Sequence, residues 1–342
     1  MKAFPQRPTL ADVANSAGVS IVTVSRVIEG SPKVAEKTRD RVLEAMDHIG
    51  YFGNAAASQL VSGRATTIGI VTSNTADYGY AATIHGIEKS ARESDMSVLI
   101  SVIEGSDRAS VRKTVSTVAS HALAGVVVVD YDAGAEAVLP ALPGYLPVVA
   151  ATTRARESAT TRPLSLTDEY DGASLAAQHL IGLGHRSIFI LAPHDSRPTE
   201  RRSLGIIDAL TAARLPHYPV IRCHDWSPRA GYEAAAELFD NYGDQVTAVA
   251  CANDEVALGA IRAALDRGLR IPEDVSVIGF DDHPLAEFAS PRLTTIRQDF
   301  ESVGANAFAL LLELIDGSEA SGDRSVGPEL VVRATTAPPA VR

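Results

Sequence analysis

After Arg64 the sequence alternates between apolar runs of strand length and amphipathic segments of helix length, and few architectures accommodate that order. The runs are "TIGIVT", "MSVLISV", "AGVVVVD", "LPVVAAT", "RSIFILA", "YPVIRC", "AVACAN" and "VSVIGF". Between them lie segments such as "AATIHGIEKSARESD", "YDGASLAAQHLIGLG" and "DEVALGAIRAALDRG". A strand that is apolar throughout is buried on both faces, and a helix after each strand supplies the cover. The pattern predicts parallel sheets of the α/β class. About ten strands over roughly 270 residues fit two doubly wound sheets better than one. Residues 316–328, "DGSEASGDRSVGP", read as a loop.

From Thr9 to about Ser62 a different rule holds: the periodicity is helical and no strand is evident. Thr9 is placed to cap a first helix, with Asp12 in the capping-box position. Leu10, Val13, Ala14 and Ala17 form its apolar face, and Gly18 ends it. Ser20 caps a second helix, in which Val24, Val27 and Ile28 face inward. A third helix spans about Glu36 to Ile49, with Val42, Ala45, Met46 and Ile49 as its stripe. The alanine-rich stretch "NAAASQLVS", 54–62, follows.

Two short helices joined by Gly-Val-Ser match a helix-turn-helix. In that geometry the outward residues at the start of the second helix meet base edges in the major groove. Here they are Ile21, Val22, Ser25 and Arg26. Arg26 can pair two donors with a guanine, whereas Ile21 and Val22 suit thymine methyl groups. Lys33, Lys37, Arg39 and Arg41 are positioned to neutralise phosphates. From spacing alone the segment also fits a small helical bundle that caps a dimer. Charge is uneven: residues 1–64 hold eight Lys and Arg against six Asp and Glu, and the remainder holds 23 against 36. A basic head on an acidic body points weakly to nucleic acid.

In an open parallel sheet, ligands bind beyond the carboxyl ends of the strands. Asp130 follows "GVVVV", Asn253 and Asp254 follow "AVACA", and Asp281 and Asp282 follow "VSVIGF". Arg202 opens the helical segment after "FILAPHDSRPTE". Together they offer fork donors, a mixed amide and acceptors, the set that matches neighbouring sugar hydroxyls. Trp226, the one tryptophan, sits just after a strand and can stack on a pyranose face. Each has a plainer alternative: Asp281 and Asn253 as helix caps, Trp226 as packing under a loop.

Enzyme chemistry finds little support. There is no GxxxxGK[ST] loop, no GxGxxG after the first strand and no GxSxG elbow. His179 and His185 form no HExxH pattern, and Asp281 and Asp282 are too close in sequence to flank a glycosidic bond. No cofactor or metal is expected. Cys223 and Cys251 form no disulfide framework. The start, "MKAFPQRPTLADV", is no secretory signal, and no apolar run spans a bilayer, so a reduced cytosol is expected and a transport-type sugar-binding protein is disfavoured.

The stretch "TLADVANSAGVSIVTVSRVIEG…TRDRVLEAMDHIGYFGNAAASQLVSGRATTIGIV" resembles the head of the lactose/galactose repressor (LacI/GalR) family of bacterial transcription regulators. The likeness continues through "HLIGLGHRSI", "NDEVALGAIRAALDRGLRIPEDVSVIGFDD" and "PRLTTIRQDFESVG", so it covers nearly the whole chain. It implies a homodimer on a near-palindromic double-stranded operator, switched by a small effector, a mono- or disaccharide; a purine or nucleoside is the alternative.

The resemblance implies a helix-turn-helix domain at 1–53, a hinge helix and linker at 54–65, and an effector-binding and dimerisation domain at 66–342. The last has two lobes of periplasmic sugar-binding type, about 66–164 with 294–326, and 165–293 with 327–342. It implies DNA contacts from Thr9, Leu10, Ser20, Thr23 and the recognition residues, and from Asn54, Ala57 and Leu60 in the hinge. Arg202, Asn253, Asp281 and Trp226 match effector contacts, and Ser73, Asp130, Gln298 and Phe300 match them less closely. Three positions depart from the family. Gly53 replaces a usual proline, Ala35 a usual capping serine, and Glu29 a common asparagine. No leucine heptads occur near the end of the sequence, so no tetramerising tail is expected.

Leu60 falls at the wedge position of the hinge, where an apolar side chain inserted in the minor groove kinks the duplex. Leu60→Ala is expected to reduce operator bending and affinity while dimerisation persists. A circular-permutation gel measures the bend, and equal bending by variant and parent would remove Leu60 from the wedge.

Overall fold

A computed structural model of the chain describes residues 8–28, 30–51, 65–153, 162–193, 197–318 and 322–340. Glu29, Gly53, Asn54, Ala57 and Leu60 lie outside them. The chain divides into two units, Met1–Thr66 and Thr67–Arg342.

The head contains α1 (Leu10–Ala17), α2 (Ile21–Ile28) and α3 (Glu36–Ile49). Its first helix starts where the sequence dictates. Thr9 Oγ1 accepts the Asp12 N–H at 3.3 Å, and Asp12 Oδ2 accepts the Thr9 N–H at 2.8 Å. This reciprocal pair satisfies donors that the helix start leaves open and lowers the Asp12 pKa. Gly18 closes α1 at φ 60°, a left-handed conformation that costs a residue without Cβ little. Val13, Ala14, Ala17, Val24, Val27, Val42, Ala45 and Tyr51 make the buried core. Ile28, expected to face inward, is 38% exposed, because the core side of the eight-residue α2 is carried by Val24 and Val27. Ala35 precedes α3 with no side-chain cap, as a residue without a side-chain acceptor must.

The body begins with β1 (Thr67–Thr72), α4 (Tyr78–Glu93), β2 (Ser97–Val102), α5 (Arg108–Ser120), β3 (Val126–Asp130), α6 (Ala133–Val138), β4 (Val148–Thr152) and β5 (Leu164–Thr167). It continues through α7 (Glu169–Gly182), β6 (Ile188–Pro193), α8 (Arg197–Ala212), β7 (Ile221–Cys223), α9 (Pro228–Tyr242), β8 (Ala248–Cys251), α10 (Asp254–Asp266) and β9 (Ser276–Ile278). The last elements are α11 (Leu285–Phe288), β10 (Thr295–Arg297), α12 (Phe300–Ile315), β11 (Arg324–Val326) and β12 (Glu329–Val331).

Two parallel sheets result. The first has the order β11-β5-β4-β3-β1-β2, and the second has the order β7-β6-β8-β9. Each is covered on both faces. Ile68, Val127 and Val149 pack under α4 and α12, and Val71, Val128 and Ala150 pack on the opposite face. In the second sheet, Phe189 and Val249 join the α9–α10 core, while Ile188 and Ala250 join that of α7 and α8. Among the described residues, no helix is long and apolar enough to cross a membrane.

Boundaries differ from the expectation at three places. β5 pairs with β4 in the first sheet, so residues 165–167 belong there and not with the second lobe. β10 pairs antiparallel with β12 and lies beside β9 through the bridges Ile278–Thr294 and Asp281–Arg297, so residues 295–297 follow the second sheet. β11 lies inside the stretch read as loop and pairs with β5. β10 and β11 have three residues each, too few for periodicity to register, and β5 has four.

Helix α12 returns to the first lobe and packs against α4 at close range. A Cβ at Gly86 would lie 2.1 Å from the Glu301 carbonyl oxygen, and one at Gly304 would lie 2.2 Å from that of Thr83. The two backbones therefore meet where neither helix has a side chain. Gly86→Ala is expected to destabilise the body by about 1–3 kcal/mol, the usual cost of overpacking. Urea unfolding measures it, and an unchanged midpoint would mean that the helices separate without penalty.

Candidate functional site

In the head, Ile21 and Val22 are 51% and 58% exposed at the start of α2. Large apolar side chains held out at a helix start are available to a partner's methyl groups. Arg26 lies one turn further along and is exposed, with Ser25 half-buried beside it. Ser20 is occupied with the helix start: its Oγ accepts the Thr23 N–H at 3.2 Å and lies 2.9 Å from Thr23 Oγ1. Thr9 serves the capping box, and Leu10 packs, half-buried, against the head core. Lys33, Lys37 and Arg41 are exposed, whereas Arg39 donates through Nη2 to the Ser31 carbonyl at 2.7 Å.

In the body, a cleft of about 300 Å³ gathers residues from both lobes. That volume lies at the small end of the range for small-molecule sites, roughly 300–1,000 Å³. Six of the eight side chains expected there line it: Ser73, Arg202, Trp226, Asn253, Asp281 and Phe300. Asp130 and Gln298 do not. Asp130 is buried at the end of β3, its backbone carbonyl accepting from Thr152 Oγ1 at 3.2 Å. Gln298 is buried and donates Nε2 to Asp281 Oδ1 at 3.2 Å.

Arg202 forms the base of the cleft. Its Nη2 reaches Glu169 Oε1 at 2.9 Å and Asp281 Oδ1 at 3.0 Å, and its Nη1 donates to the Ala252 carbonyl. The guanidinium lies over the Phe280 ring at 4.1 Å and near that of Trp226 at 5.6 Å. Burial is the largest single influence on Arg202 and opposes its charge. Asp281 and Glu169 together outweigh it, and the pKa rises. Burial likewise pushes the Glu169 carboxyl up, with Arg202 opposing. Asp281 adopts φ 99°, a region that few residues other than glycine enter, and the two donors on its carboxylate hold it there.

Asn253 stands at the helix start and at the cleft at once. It caps α10, with Oδ1 accepting the Val256 N–H at 2.8 Å, and it lines the cleft. Its Nδ2 reaches the Trp226 carbonyl and Glu255 Oε2, both at 3.3 Å. Trp226 is half-buried, packed against the second lobe's core and open to the cleft. Asp282 turns aside to Arg297 and Arg333, at 2.8 and 2.7 Å. Asp254 accepts from Thr295 Oγ1 at 2.5 Å and from the His283 N–H at 2.6 Å, beneath the site.

Several lining residues escaped the sequence reading: Asp77, Tyr78, Tyr80, Tyr131, Asp132, Glu169 and Glu255. The rule of strand carboxyl ends, extended to β1 and β5, points to Asp77 and Glu169. Tyr80 and Asp132 needed the fold, since 52 residues separate the partners of their 2.5 Å hydrogen bond. Tyr80, Tyr131 and Phe300 form a run of aromatic contacts with centroids 5.2 and 5.8 Å apart, which lines the first lobe's wall.

Comparison with known proteins matches residues 9–54 to the model of bacterial regulatory proteins of the lacI family and residues 177–336 to that of a periplasmic binding protein-like domain. The lactose operon repressor of Escherichia coli (strain K12) is 33% identical over 333 residues, covering 97% of this chain and 91% of that one. The chain belongs to the lacI family of bacterial regulatory proteins. A Lac repressor dimer bound to operator and the anti-inducer ONPF aligns at TM-score 0.85 and 32% identity, over 97% of this chain and all of that one. A complex of the transcriptional regulator CelR with cellobiose aligns at TM-score 0.68 and 30% identity, over 96% and 100%. This lacI-family member is a DNA-binding transcriptional regulator, with a helix-turn-helix head and a periplasmic-binding-like body.

Removing Arg202 from this regulator would leave the buried Glu169 and the largely buried Asp281 without their cation. Arg202→Ala is expected to lower the stability of the body by about 3–5 kcal/mol, as breaking one side of a buried pair does. Guanidinium unfolding followed by far-UV circular dichroism measures this. A variant as stable as the parent would show that water or relaxation replaces the pair.

Proposed function

We propose that this regulator is a homodimeric repressor that grips a near-palindromic duplex operator and is released by a small saccharide. The observation that carries the effector half of this reading is the cleft, where aromatic faces and convergent polar side chains from two lobes surround a space of sugar size. The CelR–cellobiose complex, similar to this chain over nearly its whole length, supports the saccharide class. The operator half rests on Ile21, Val22 and Arg26 at the start of α2, and on the dimer-on-operator arrangement of the Lac repressor neighbour.

Saccharide binding favours one arrangement of the two lobes, and that preference weakens the grip of the head and hinge on DNA. A ligand can shift such an equilibrium only by its different affinity for the two states. The chain works by binding, in the cytoplasm, without cofactor, catalytic step or membrane partner. Ser73, Arg202, Trp226, Asn253, Asp281 and Phe300 act at the cleft, with Gln298 and Asp130 behind it. Thr9, Leu10, Ser20, Ile21, Val22, Thr23, Ser25 and Arg26 act at the operator, joined by Asn54, Ala57 and Leu60.

Two measurements test the reading. Arg26→Ala should weaken binding to an operator from the protein's own gene neighbourhood by about 1–3 kcal/mol and relax the preference at one base pair of each half-site. Unaltered specificity in a footprint at fixed salt would exclude Arg26 as a reader. Trp226, with no other tryptophan to obscure it, should change its emission saturably with the correct mono- or disaccharide. The same compound should change operator affinity, because coupling between two sites is reciprocal. A response to a nucleobase or nucleoside alone would retain the regulator and overturn its saccharide effector.

A further inference from the structure

Both walls of the cleft present more hydrogen-bond acceptors than free donors. On the first lobe, Asp132 takes the hydroxyl hydrogens of two lining residues: Tyr80 Oη donates to its Oδ2 at 2.5 Å, and Ser73 Oγ donates to the same oxygen. Asp132 Oδ1 meanwhile accepts the backbone N–H groups of Gly134 and Ala135, at 2.8 and 3.1 Å. Ser73 and Tyr80 therefore meet a ligand through lone pairs only.

On the second lobe most donors are likewise occupied, the buried Arg202 Nε excepted. The terminal nitrogens of Arg202 are engaged with Glu169, Asp281 and a carbonyl, and the Asn253 amide is engaged with Trp226 and Glu255. Glu169, 1% exposed, lines the cleft with its carboxyl held by Arg202 and by the Thr153 hydroxyl.

Charge runs the same way. Among the described lining residues, five carboxylates face one guanidinium. Two of the five, Asp77 on the first lobe and Glu255 on the second, are partnered by amides: Asn74 Nδ2 reaches Asp77 at 2.8 Å, and Asn253 Nδ2 reaches Glu255 at 3.3 Å. Burial, and then the charge of Asp77, hold the Glu255 carboxyl above its ordinary range. A phosphate or carboxylate on the ligand would add like charge to this surface. Neutral hydroxyls would fill lone pairs and leave the charge standing. An ammonium brings three donors, no acceptor and the compensating charge.

We infer that the effector is a saccharide bearing a protonated amine, seated between Asp77 and Glu255, which deepens the saccharide reading above and rests on it. Because the two carboxylates stand on opposite lobes, the amine also draws the lobes together, and binding is coupled to their relative position.

The test uses the full chain and matched compounds of gluco, galacto and manno configuration: the hexosamine, its N-acetyl form, the parent hexose, the hexuronate and the hexose 6-phosphate. Trp226 emission and thermal shift give the affinities. In the responding configuration the hexosamine should bind about tenfold more tightly than the hexose or the N-acetyl form, one charge-assisted contact in worth. The uronate and phosphate should be silent. Asp77→Asn and Glu255→Gln should each bring the ratio close to one. Should a variant fail to fold, the ratio in the parent protein and its fall with added salt decide the matter. Equal affinity for hexose and hexosamine, or tighter binding of an anion, overturns the amine and leaves the saccharide reading standing. Silence from the whole series overturns the amine, and a nucleobase that alters operator affinity instead overturns both readings.

Discussion

Arg202 is the interaction on which the ligand-binding half of the molecule depends. It joins three parts of the second lobe that the sequence keeps far apart: the start of α7 through Glu169, the end of β8 through the Ala252 carbonyl, and the loop after β9 through Asp281. Two of these parts adjoin passages between the lobes. Glu169 follows β5, the last strand of the first lobe before the chain enters the second, and Asp281 bonds Gln298 on the return. A cation in a dry site demands compensating anions, and those anions flank the passages between the lobes. The base of the cleft and the passages between the lobes are thus one electrostatic unit.

Much of this was legible in the sequence, for identifiable reasons. Parallel sheets followed from strands such as "GVVVV", whose burial on both faces leaves no polar alternation. Thr9 and Asp12 announced the first helix because a capping box is a local device, complete within four residues. The rule of strand ends led to Arg202, Trp226, Asn253 and Asp281, and the family resemblance to Ser73 and Phe300. What escaped was the partnering. Arg202 and Asn253 were read as donors to a ligand, and the structure engages them with carboxylates and carbonyls from distant segments. Asp132 was invisible because its meaning lies in Ser73 and Tyr80, more than fifty residues away. The lobe boundaries slipped at β5 and β10, where three or four residues of strand carry no periodicity and only pairing reveals the sheet they join.

Head and body obey different physics. The head buries a small core and turns Ile21 and Val22 outward, an arrangement that favours a partner able to cover them. The body is held by helices that approach within backbone contact, α4 on α12 at Gly86 and Gly304, and α9 on α10 at Gly231 and Gly259. Such contacts leave no side chain to adjust, so the layers above and below each sheet are fixed closely, and movement is left to the passages between the lobes.

The division between Arg202 below and Asp77 with Glu255 above bears on how a lineage of such proteins changes its diet. The lower residues answer to one another, so altering one demands simultaneous change in two others, a step that single mutations rarely achieve. The upper pair carries no such mutual dependence. Each carboxylate leans on a neighbouring amide and supports nothing else that has been described, so either can be exchanged singly without unfolding the chain. New specificities are therefore reached from the top of the cleft downward, and descendants with quite different ligands should still carry the same buried triad of Arg202, Glu169 and Asp281.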